Sequence, residues 1–220
     1  MAKFDILEDL KWRGAINQET DEEGLRKYLA EHDDLALYCG TDPTGDSLHI
    51  GHLIPFMILK RFQMAGYHPV ILIGGGTGAI GDPSGRKTER TLQTAEQVKH
   101  NEEKLTAQMK KLFGTENFEI RNNAEWLGKM NLLDFLRDYG KFFQVNNMIN
   151  KDVVASRLEN GISFTEFSYQ ILQAIDFYHL NKDNGVQMQI GGSDQWGNIT
   201  AGIDLIHKLE GADRPAFGLT

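Results

Sequence analysis

Two histidines three positions apart, His49 and His52, are residues whose types and spacing could do chemistry. In the first turn of a helix both rings would lie on one side, near the partial positive charge of the helix N-terminus. Imidazoles placed there can donate hydrogen bonds to phosphate oxygens, and Gly51 between them lets a nucleotide approach the backbone. The spacing predicts an anion site, with surface histidines beside a helix cap as an equally weighted alternative. Asp42 and Asp46 nearby have no repeated metal-ligand spacing, so no protein-bound metal is predicted.

A glycine-rich segment offers a competing function. Gly76, Gly78 and Gly81 match the Gly-x-Gly-x-x-Gly fingerprint of nicotinamide and flavin enzymes, which would make the protein an oxidoreductase. That fingerprint must open a helix, whereas the Asp-Pro-Ser-Gly run that starts at Asp82 breaks one. Arg86, directly before a lysine, also spoils the phosphate-loop pattern. What remains is a glycine-lined loop whose carboxylate suits an ammonium group, with an ordinary turn and a capping aspartate as the alternative.

A helix predicted over residues 164–180 carries two opposed stripes. One stripe is polar and holds Tyr169, Gln173 and Asp176. No lysine or arginine occurs between Gly161 and Asn181, although a solvated helix face usually carries them. The pattern favours a pocket wall over a solvent-facing helix. The other stripe is apolar and consists of Phe164, Phe167, Ile171, Ile175 and Tyr178.

A second glycine loop, Gly191–Gly192–Ser193–Asp194, follows a predicted strand. The glycines permit close approach of a ligand, and the Asp194 carboxylate can accept from the two vicinal hydroxyls of a ribose. The alternative for this aspartate is a helix cap.

Strands and helices alternate in the order expected of an α/β protein with a doubly wound, mostly parallel sheet. The capping box Thr20–Glu23 predicts the start of one helix. In such a sheet the loops 40–52, 74–88 and 191–195 should meet beyond the carboxyl ends of the strands. The predicted strands are 35–39, 69–73, 118–121 and 186–190, and the predicted helices are 21–31, 50–65, 94–113, 164–180 and 195–209.

Composition is that of a globular protein. The 220 residues include 31 acidic and 23 basic side chains, a formal charge of −8, and 40% hydrophobic residues. Cys39 is the single cysteine, no signal-peptide core opens the chain, and no apolar run approaches the roughly 20 residues needed to cross a bilayer. We therefore expect a cytoplasmic protein. Net acidity argues against broad nucleic-acid binding, although a local patch could still hold one RNA.

Five segments in this order resemble the bacterial tyrosyl-tRNA synthetases, a family of class I aminoacyl-tRNA synthetases. The His-Ile-Gly-His motif alone would indicate only a class I synthetase or a related nucleotidyl transferase. The whole series is far more specific and covers nearly the whole chain, as the N-terminal catalytic portion. The segments are Tyr38–Thr44, His49–His52, Gly81–Gly85, Phe164–Tyr169 and Gly191–Asn198.

The resemblance implies ATP-dependent activation of tyrosine to tyrosyl-adenylate, then transfer to tRNA, with Mg²⁺ accompanying ATP. Tyr38 and Asp176 are implied to bind the phenol, and no general base is needed because the substrate carboxylate is already nucleophilic. The implied tyrosine-binding residues are Tyr38, Asp82, Tyr169, Gln173, Asp176 and Gln195. The implied ATP-binding residues are Gly40, Asp42, Thr44, His49, Gly51, His52, Gly191, Gly192 and Asp194, of which Thr44, His49 and His52 are the catalytic candidates.

The predicted organisation is one catalytic nucleotide-binding domain over 1–220, with a helical N-terminal arm at about 1–33 and a helical insertion at about 122–160. The lysine-rich loop and the anticodon-binding region of the family are absent from this sequence, so we expect a chain that binds tyrosine, activates it weakly and cannot select tRNA. The alternative is a tyrosine receptor without turnover. Pro55 and Arg86 leave the local ATP contacts open.

Relatives of this family pair as homodimers through the insertion. An apolar patch here could serve that purpose, with ordinary internal core as the alternative, and three basic residues could contact the tRNA acceptor stem. The patch residues are Phe142, Phe143, Val145, Met148 and Ile149, and the basic residues are Lys141, Lys151 and Arg157.

Overall fold

The computed structural model describes residues 4–83, 93–158 and 161–220, so the predictions for Ser84, Gly85 and Arg86 lie outside the described residues. Within that part of the chain five parallel strands form one sheet in the order β3-β2-β1-β4-β5. The strands are β1 (Ala36–Thr41), β2 (His68–Ile73), β3 (Glu119–Asn122), β4 (Val186–Ile190) and β5 (Phe217–Leu219).

Helices connect the strands and cover the sheet. Each predicted strand and helix is present, β4 with the predicted bounds and the others with one or both ends shifted by a few residues, whereas α1 and β5 had no specific prediction. None of the helices in the described ranges is long and apolar enough to cross a membrane. The helices are α1 (Ile6–Trp12), α2 (Glu22–Glu31), α3 (Ile50–Met64), α4 (Ala95–Phe113), α5 (Ala124–Leu127), α6 (Leu132–Asp134), α7 (Val145–Ile149), α8 (Asp152–Leu158), α9 (Phe164–Asn184) and α10 (Trp196–Glu210).

Alternate side chains of the central strand enter two different cores. Leu37 and Cys39 pack on one face of the sheet with residues of α1, α2, α3 and α4. Ala36 and Tyr38 pack on the other face with residues of α9 and α10. A strand buried on both faces reads as a continuous apolar run, which explains the pattern at Leu35 to Cys39. The doubly wound α/β fold is confirmed.

The predicted capping box at Thr20 is wrong. Helix α2 is capped by Asp21, whose side chain accepts from the Gly24 amide at 2.9 Å. The hydroxyl of Thr20 instead accepts from the Gly218 amide at 3.0 Å, and the Thr20 amide donates to the Gly218 carbonyl. Thr20 is therefore tied to the edge of the sheet beside β5, and the helix begins one residue later.

The insertion is helical and irregular, as expected, but most of its predicted apolar patch lies in the core. It consists of short helices α5 to α8 with a π-helical turn at Phe135–Tyr139. Met148 belongs to the second core and Phe142 and Phe143 pack against it, so of the predicted patch only Val145 is strongly exposed. Ordinary core, the alternative, describes most of this group.

The solvent exposure of two side chains contradicts the roles predicted for them. Phe164, assigned to the apolar stripe of α9, is 73% exposed because it is the first residue of the helix. Arg157, expected to contact RNA, is only 3% exposed, and its Nη2 donates to Glu166 Oε2 at 2.8 Å. A buried and paired guanidinium is not available to a phosphate. Pro55 lies within α3, which continues to Met64.

Candidate functional site

A cavity of about 350 Å³ lies at the carboxyl ends of β1 and β4. The sheet order shows why it forms there. The chain builds outward from β1 through β2 to β3, then returns to place β4 on the other side of β1, and ligands bind where the strand order reverses. Every predicted site residue lines this cavity except His49. The structure thus brings the predicted residues together, while their individual roles stay predictions.

The two histidines lie at the start of α3. His49 is the N-cap residue, and its Nδ1 accepts from the Gly51 amide at 3.1 Å. The His49 and His52 rings stack with centroids 3.7 Å apart. A Cβ added at Gly51 would lie 3.0 Å from His49 Cε1, so glycine permits this close approach. The pair faces solvent at a helix N-terminus, a position that favours an anion.

Tyr38 and Asp176 form the inner wall of the cavity. Tyr38 is 1% exposed, and its hydroxyl has no hydrogen-bond partner among the described residues. Burial, and then the Asp176 charge, raise the pKa of Tyr38 well above its usual value of 10, so the hydroxyl keeps its proton. A buried hydroxyl without a partner carries a desolvation cost that a polar ligand group would remove.

The Asp176 carboxylate is held from two sides. Its Oδ1 accepts from Trp126 Nε1 at 2.7 Å, and its Oδ2 accepts from Asn123 Nδ2 at 2.9 Å. Burial raises the pKa of Asp176 to about 7, and these two hydrogen bonds oppose part of that increase. The side chain is therefore oriented before any ligand arrives.

Polar side chains on neighbouring elements are paired across the middle of the cavity. Tyr169 Oη donates to Asp42 Oδ2 at 3.0 Å, and Gln195 Nε2 donates to Asp82 Oδ2 at 2.8 Å. Gln173 Oε1 accepts from the amide of Asn198 at 2.9 Å. Burial, followed by the charges of Asp42 and Asp82, raises the pKa of Tyr169 well above its ordinary value, so this phenol stays neutral.

The described residues around the cavity give it a negative character. Asp42, Asp82, Asp176 and Asp194 line it, and no lysine or arginine is among its described lining residues. Such a site attracts a cationic group such as an ammonium. In the described ranges no cluster of three histidine, cysteine, aspartate or glutamate side chains could hold a metal ion.

Gly74 is required where β2 ends. A Cβ at this position would lie 2.0 Å from Asp42 Oδ1 and 2.5 Å from Thr77 Oγ1. These two atoms belong to one hydrogen bond, in which the Thr77 hydroxyl donates to Asp42 at 2.7 Å. The glycine leaves room for the contact that orients Asp42.

Sequence reasoning missed Asn123, Trp126 and Thr77. Asn123 is fully buried, donates to both Thr77 and Asp176, and accepts from the Gly76 amide. Its place directly after β3 was a usable signal, because polar residues at the carboxyl ends of parallel strands face the same edge. Trp126 has no such signal, since its partner lies far away in the sequence.

Comparisons with known proteins find one family over most of the chain. A family profile described as class I tRNA synthetases (W and Y) matches residues 30–220. The chain is 99% identical over 220 residues to the tyrosine–tRNA ligase of Lactobacillus johnsonii, covering 100% of this chain and 52% of the relative. It is 78% identical over 217 residues to the tyrosine–tRNA ligase of Limosilactobacillus reuteri, covering 99% of this chain and 52% of the relative. The chain thus spans about half the length of these curated relatives.

Solved structures show the same fold. A C-terminally truncated mitochondrial tyrosyl-tRNA synthetase from Aspergillus nidulans matches with a TM-score of 0.84 and 32% identity, covering 98% of this chain and 68% of that one. A tyrosyl-tRNA synthetase from Archaeoglobus fulgidus, complexed with L-tyrosine, matches with a TM-score of 0.78 at 18% identity, covering 98% of this chain and 63% of that one. The second match supports the fold alone.

Proposed function

The chain belongs to the class I tRNA synthetases for tryptophan and tyrosine, and from this premise we propose that its cavity binds L-tyrosine and ATP and aligns them to form tyrosyl-adenylate. One observation carries the choice of tyrosine. The inner wall presents a buried hydroxyl without a described partner, on Tyr38, beside the oriented carboxylate of Asp176. A substrate phenol can pair with both groups, since its oxygen accepts a hydrogen bond from the Tyr38 hydroxyl and its own O–H donates a hydrogen bond to the Asp176 carboxylate.

Phenylalanine should be rejected by the same wall. It fills a similar volume but leaves the buried Tyr38 hydroxyl without a partner, and it gives the Asp176 carboxylate, which Trp126 and Asn123 already hold, no hydrogen bond from the ligand. An unpaired buried polar group costs more than the net gain from an ordinary hydrogen bond, so the loss is strongly selective.

The ammonium group of tyrosine is proposed to lie among Asp82, Tyr169 and Gln173, with Gln195 near the carboxylate. The negative character of this region supports the assignment. Asp82 and Gln195 are already hydrogen-bonded to each other, so the two side chains are held in place for the two charged groups of one amino acid.

ATP is proposed to lie along the outer part of the cavity. Gly192 and Asp194 would hold the ribose, and His49 and His52 would donate to the phosphates. In the reaction the tyrosine carboxylate oxygen bonds to the α-phosphorus while the bond from that phosphorus to pyrophosphate breaks. The histidines stabilise charge on the departing phosphates, so the protein contributes alignment and electrostatics rather than a general base. Mg²⁺ would arrive with the ATP phosphates.

The chain covers 52% of the length of the curated tyrosine–tRNA ligases that it matches. We therefore propose that this chain binds tyrosine well and activates it slowly, and that transfer to tRNA belongs to the longer protein. The alternative is a chain that binds tyrosine but does not convert it to tyrosyl-adenylate. We propose that the protein acts in translation and is located in the cytoplasm. Its proposed assembly is a homodimer.

Calorimetry with tyrosine, phenylalanine and ATP tests the assignment. The chain should prefer tyrosine to phenylalanine, and Asp176→Ala should lose this preference while its ATP affinity is unchanged. Asp194→Ala is the matched control, an aspartate in the same cavity whose loss should weaken ATP binding and spare tyrosine. If Asp176→Ala weakens both ligands equally, the assigned role is refuted. Pyrophosphate exchange as fast as in a complete relative would refute slow activation.

A further inference from the structure

The Trp126 side chain, which donates to Asp176, is itself backed by a histidine. The Trp126 and His179 rings stack with centroids 4.3 Å apart and an angle of 24° between their planes. His179 is on α9, three residues beyond Asp176, and Trp126 is on the short helix α5. The indole therefore touches α9 at two points, through its Nε1 at Asp176 and through its face at His179.

The orientation of His179 is also fixed. Its Nδ1 lies 2.9 Å from Asp183 Oδ2, one helical turn further along α9. Burial lowers the pKa of His179, with Asp183 and Glu125 opposing that shift and Arg121 adding to it. A neutral imidazole with its proton on Nδ1 donates to Asp183 and presents its flat face to the indole.

A four-residue helix is a weak support for a side chain on its own. The N-cap residue of helix α5, Asn123, makes no side-chain cap hydrogen bond, and the Asn122 side chain accepts from the Ala124 amide at 2.9 Å instead. Trp126 and Leu127 are only partly buried, against the second core. An indole carried by such an element needs tertiary contacts to keep its Nε1 proton on one carboxylate oxygen. The stack with His179 supplies a contact of this kind, because offset aromatic pairs stabilise a defined geometry.

We propose that His179 is a positioning residue for tyrosine recognition: by stacking on Trp126 it keeps the indole proton on Asp176 and so keeps the carboxylate aimed at the substrate phenol. This inference rests on the proposed function, since it assigns His179 to the phenol end of that site. His179 itself does not touch the substrate. Its loss should affect the phenol contact and leave the ATP contacts unchanged.

The test compares four single variants and one double variant by calorimetry. His179→Ala should weaken tyrosine binding about two- to tenfold, the range of one aromatic pair, with ATP binding unchanged and the preference over phenylalanine reduced. His179→Phe keeps a ring against the indole and should restore most of the tyrosine affinity. His100→Ala, an exposed histidine on α4, is the matched control and should change nothing.

The fourth variant, Trp126→Phe, makes the test a double-mutant cycle. If His179 acts through Trp126, His179→Ala should cost no further tyrosine affinity in the Trp126→Phe background. Additive losses would overturn the proposal, and so would equal losses of tyrosine and ATP binding from His179→Ala. A parent chain that fails to bind tyrosine would refute both the proposed function and this inference. A parent chain and His179→Ala with the same tyrosine affinity would refute the inference alone.

Discussion

Asp176 combines a buried position with a function that depends on its charge. Its pKa, raised by burial to about 7, means that it changes protonation close to neutral pH. An ionised carboxylate accepts a phenol proton more strongly than a carboxylic acid does. Tyrosine affinity should therefore rise as the pH increases from 6 to 8, since the ammonium and carboxylate of the ligand keep their charges over this range. Calorimetry across the range measures the change.

The control for this pH dependence is Asp176→Asn, which keeps the shape of the side chain and cannot ionise. Its tyrosine affinity should be lower and flat between pH 6 and pH 8. If the tyrosine affinity of the parent chain were equally independent of pH, or if Asp176→Asn kept the pH dependence of the parent, Asp176 would not be the group responsible.

The same carboxyl group should make folding stability depend on pH. Its folded-state pKa of about 7 lies above the unfolded value of about 3.9, so the folded chain binds the proton more tightly. The Asp176 contribution to the free energy of unfolding is therefore most favourable below pH 4 and is lost as the pH rises towards 7. Urea unfolding of the parent chain and of Asp176→Asn should show the parent losing stability relative to the variant over this interval. A constant difference between the two would contradict it.

At the scale of elements, the Arg157–Glu166 pair joins α8 to α9. The two side chains are 4% and 1% exposed, and Glu166 Oε1 has no hydrogen-bond partner among the described residues. Arg157→Met should cost about 3–5 kcal/mol in the free energy of unfolding, because it leaves a carboxylate buried without its cation. Replacing both, with Arg157→Met and Glu166→Leu, should recover most of that loss. Urea unfolding measures all three proteins.

Arg137→Met is the control for this pair, since the ion pairs of Arg137 with Asp134 and Asp138 are exposed. It should leave stability unchanged within error. A loss from Arg137→Met as large as that from Arg157→Met would show that burial is not the reason for the effect.

Prediction from sequence succeeded where an element carries its own pattern. The strands around Tyr38 and Ile71 are covered on both faces, so their continuous apolar runs identified them. The three-residue strand β5 has no such run, and its pairing depends on β4 and on the N-terminal segment beside it. The contact with β5 also explains why Asp21 caps α2 instead of Thr20. The Thr20 hydroxyl is hydrogen-bonded to the Gly218 amide and is not available to the helix.

The candidate site likewise contains residues that the sequence could predict and residues that it could not. Residues on the loops that follow β1, β2 and β4, such as Asp42, Asp82 and Asp194, could be predicted because topology places these loops at one edge of the sheet. Trp126 and His179 could not, since their contact joins the insertion to α9 and exists only when the chain is packed. Sequence pattern therefore identified the groups proposed to meet ligands and missed those that hold them in place.

At the scale of the whole molecule, the insertion leaves apolar side chains in solvent. Leu132, Leu133, Leu136 and Val145 are all about half exposed or more. The three leucines lie within five residues of the chain, and a dimer formed through the insertion would bury them. Of these four residues only Val145 was in the predicted patch, and the four mark where the proposed homodimer interface should lie.

Analytical ultracentrifugation tests that location. The parent chain should sediment as a dimer at micromolar concentration, and Leu133→Glu should shift it to the monomer because a charge buried in an apolar interface is costly. Met64→Glu is the control, a comparably exposed apolar residue on α3, and should leave the dimer intact. A parent chain that is monomeric, or a Met64→Glu variant that dissociates as readily as Leu133→Glu, would place the interface elsewhere or remove it.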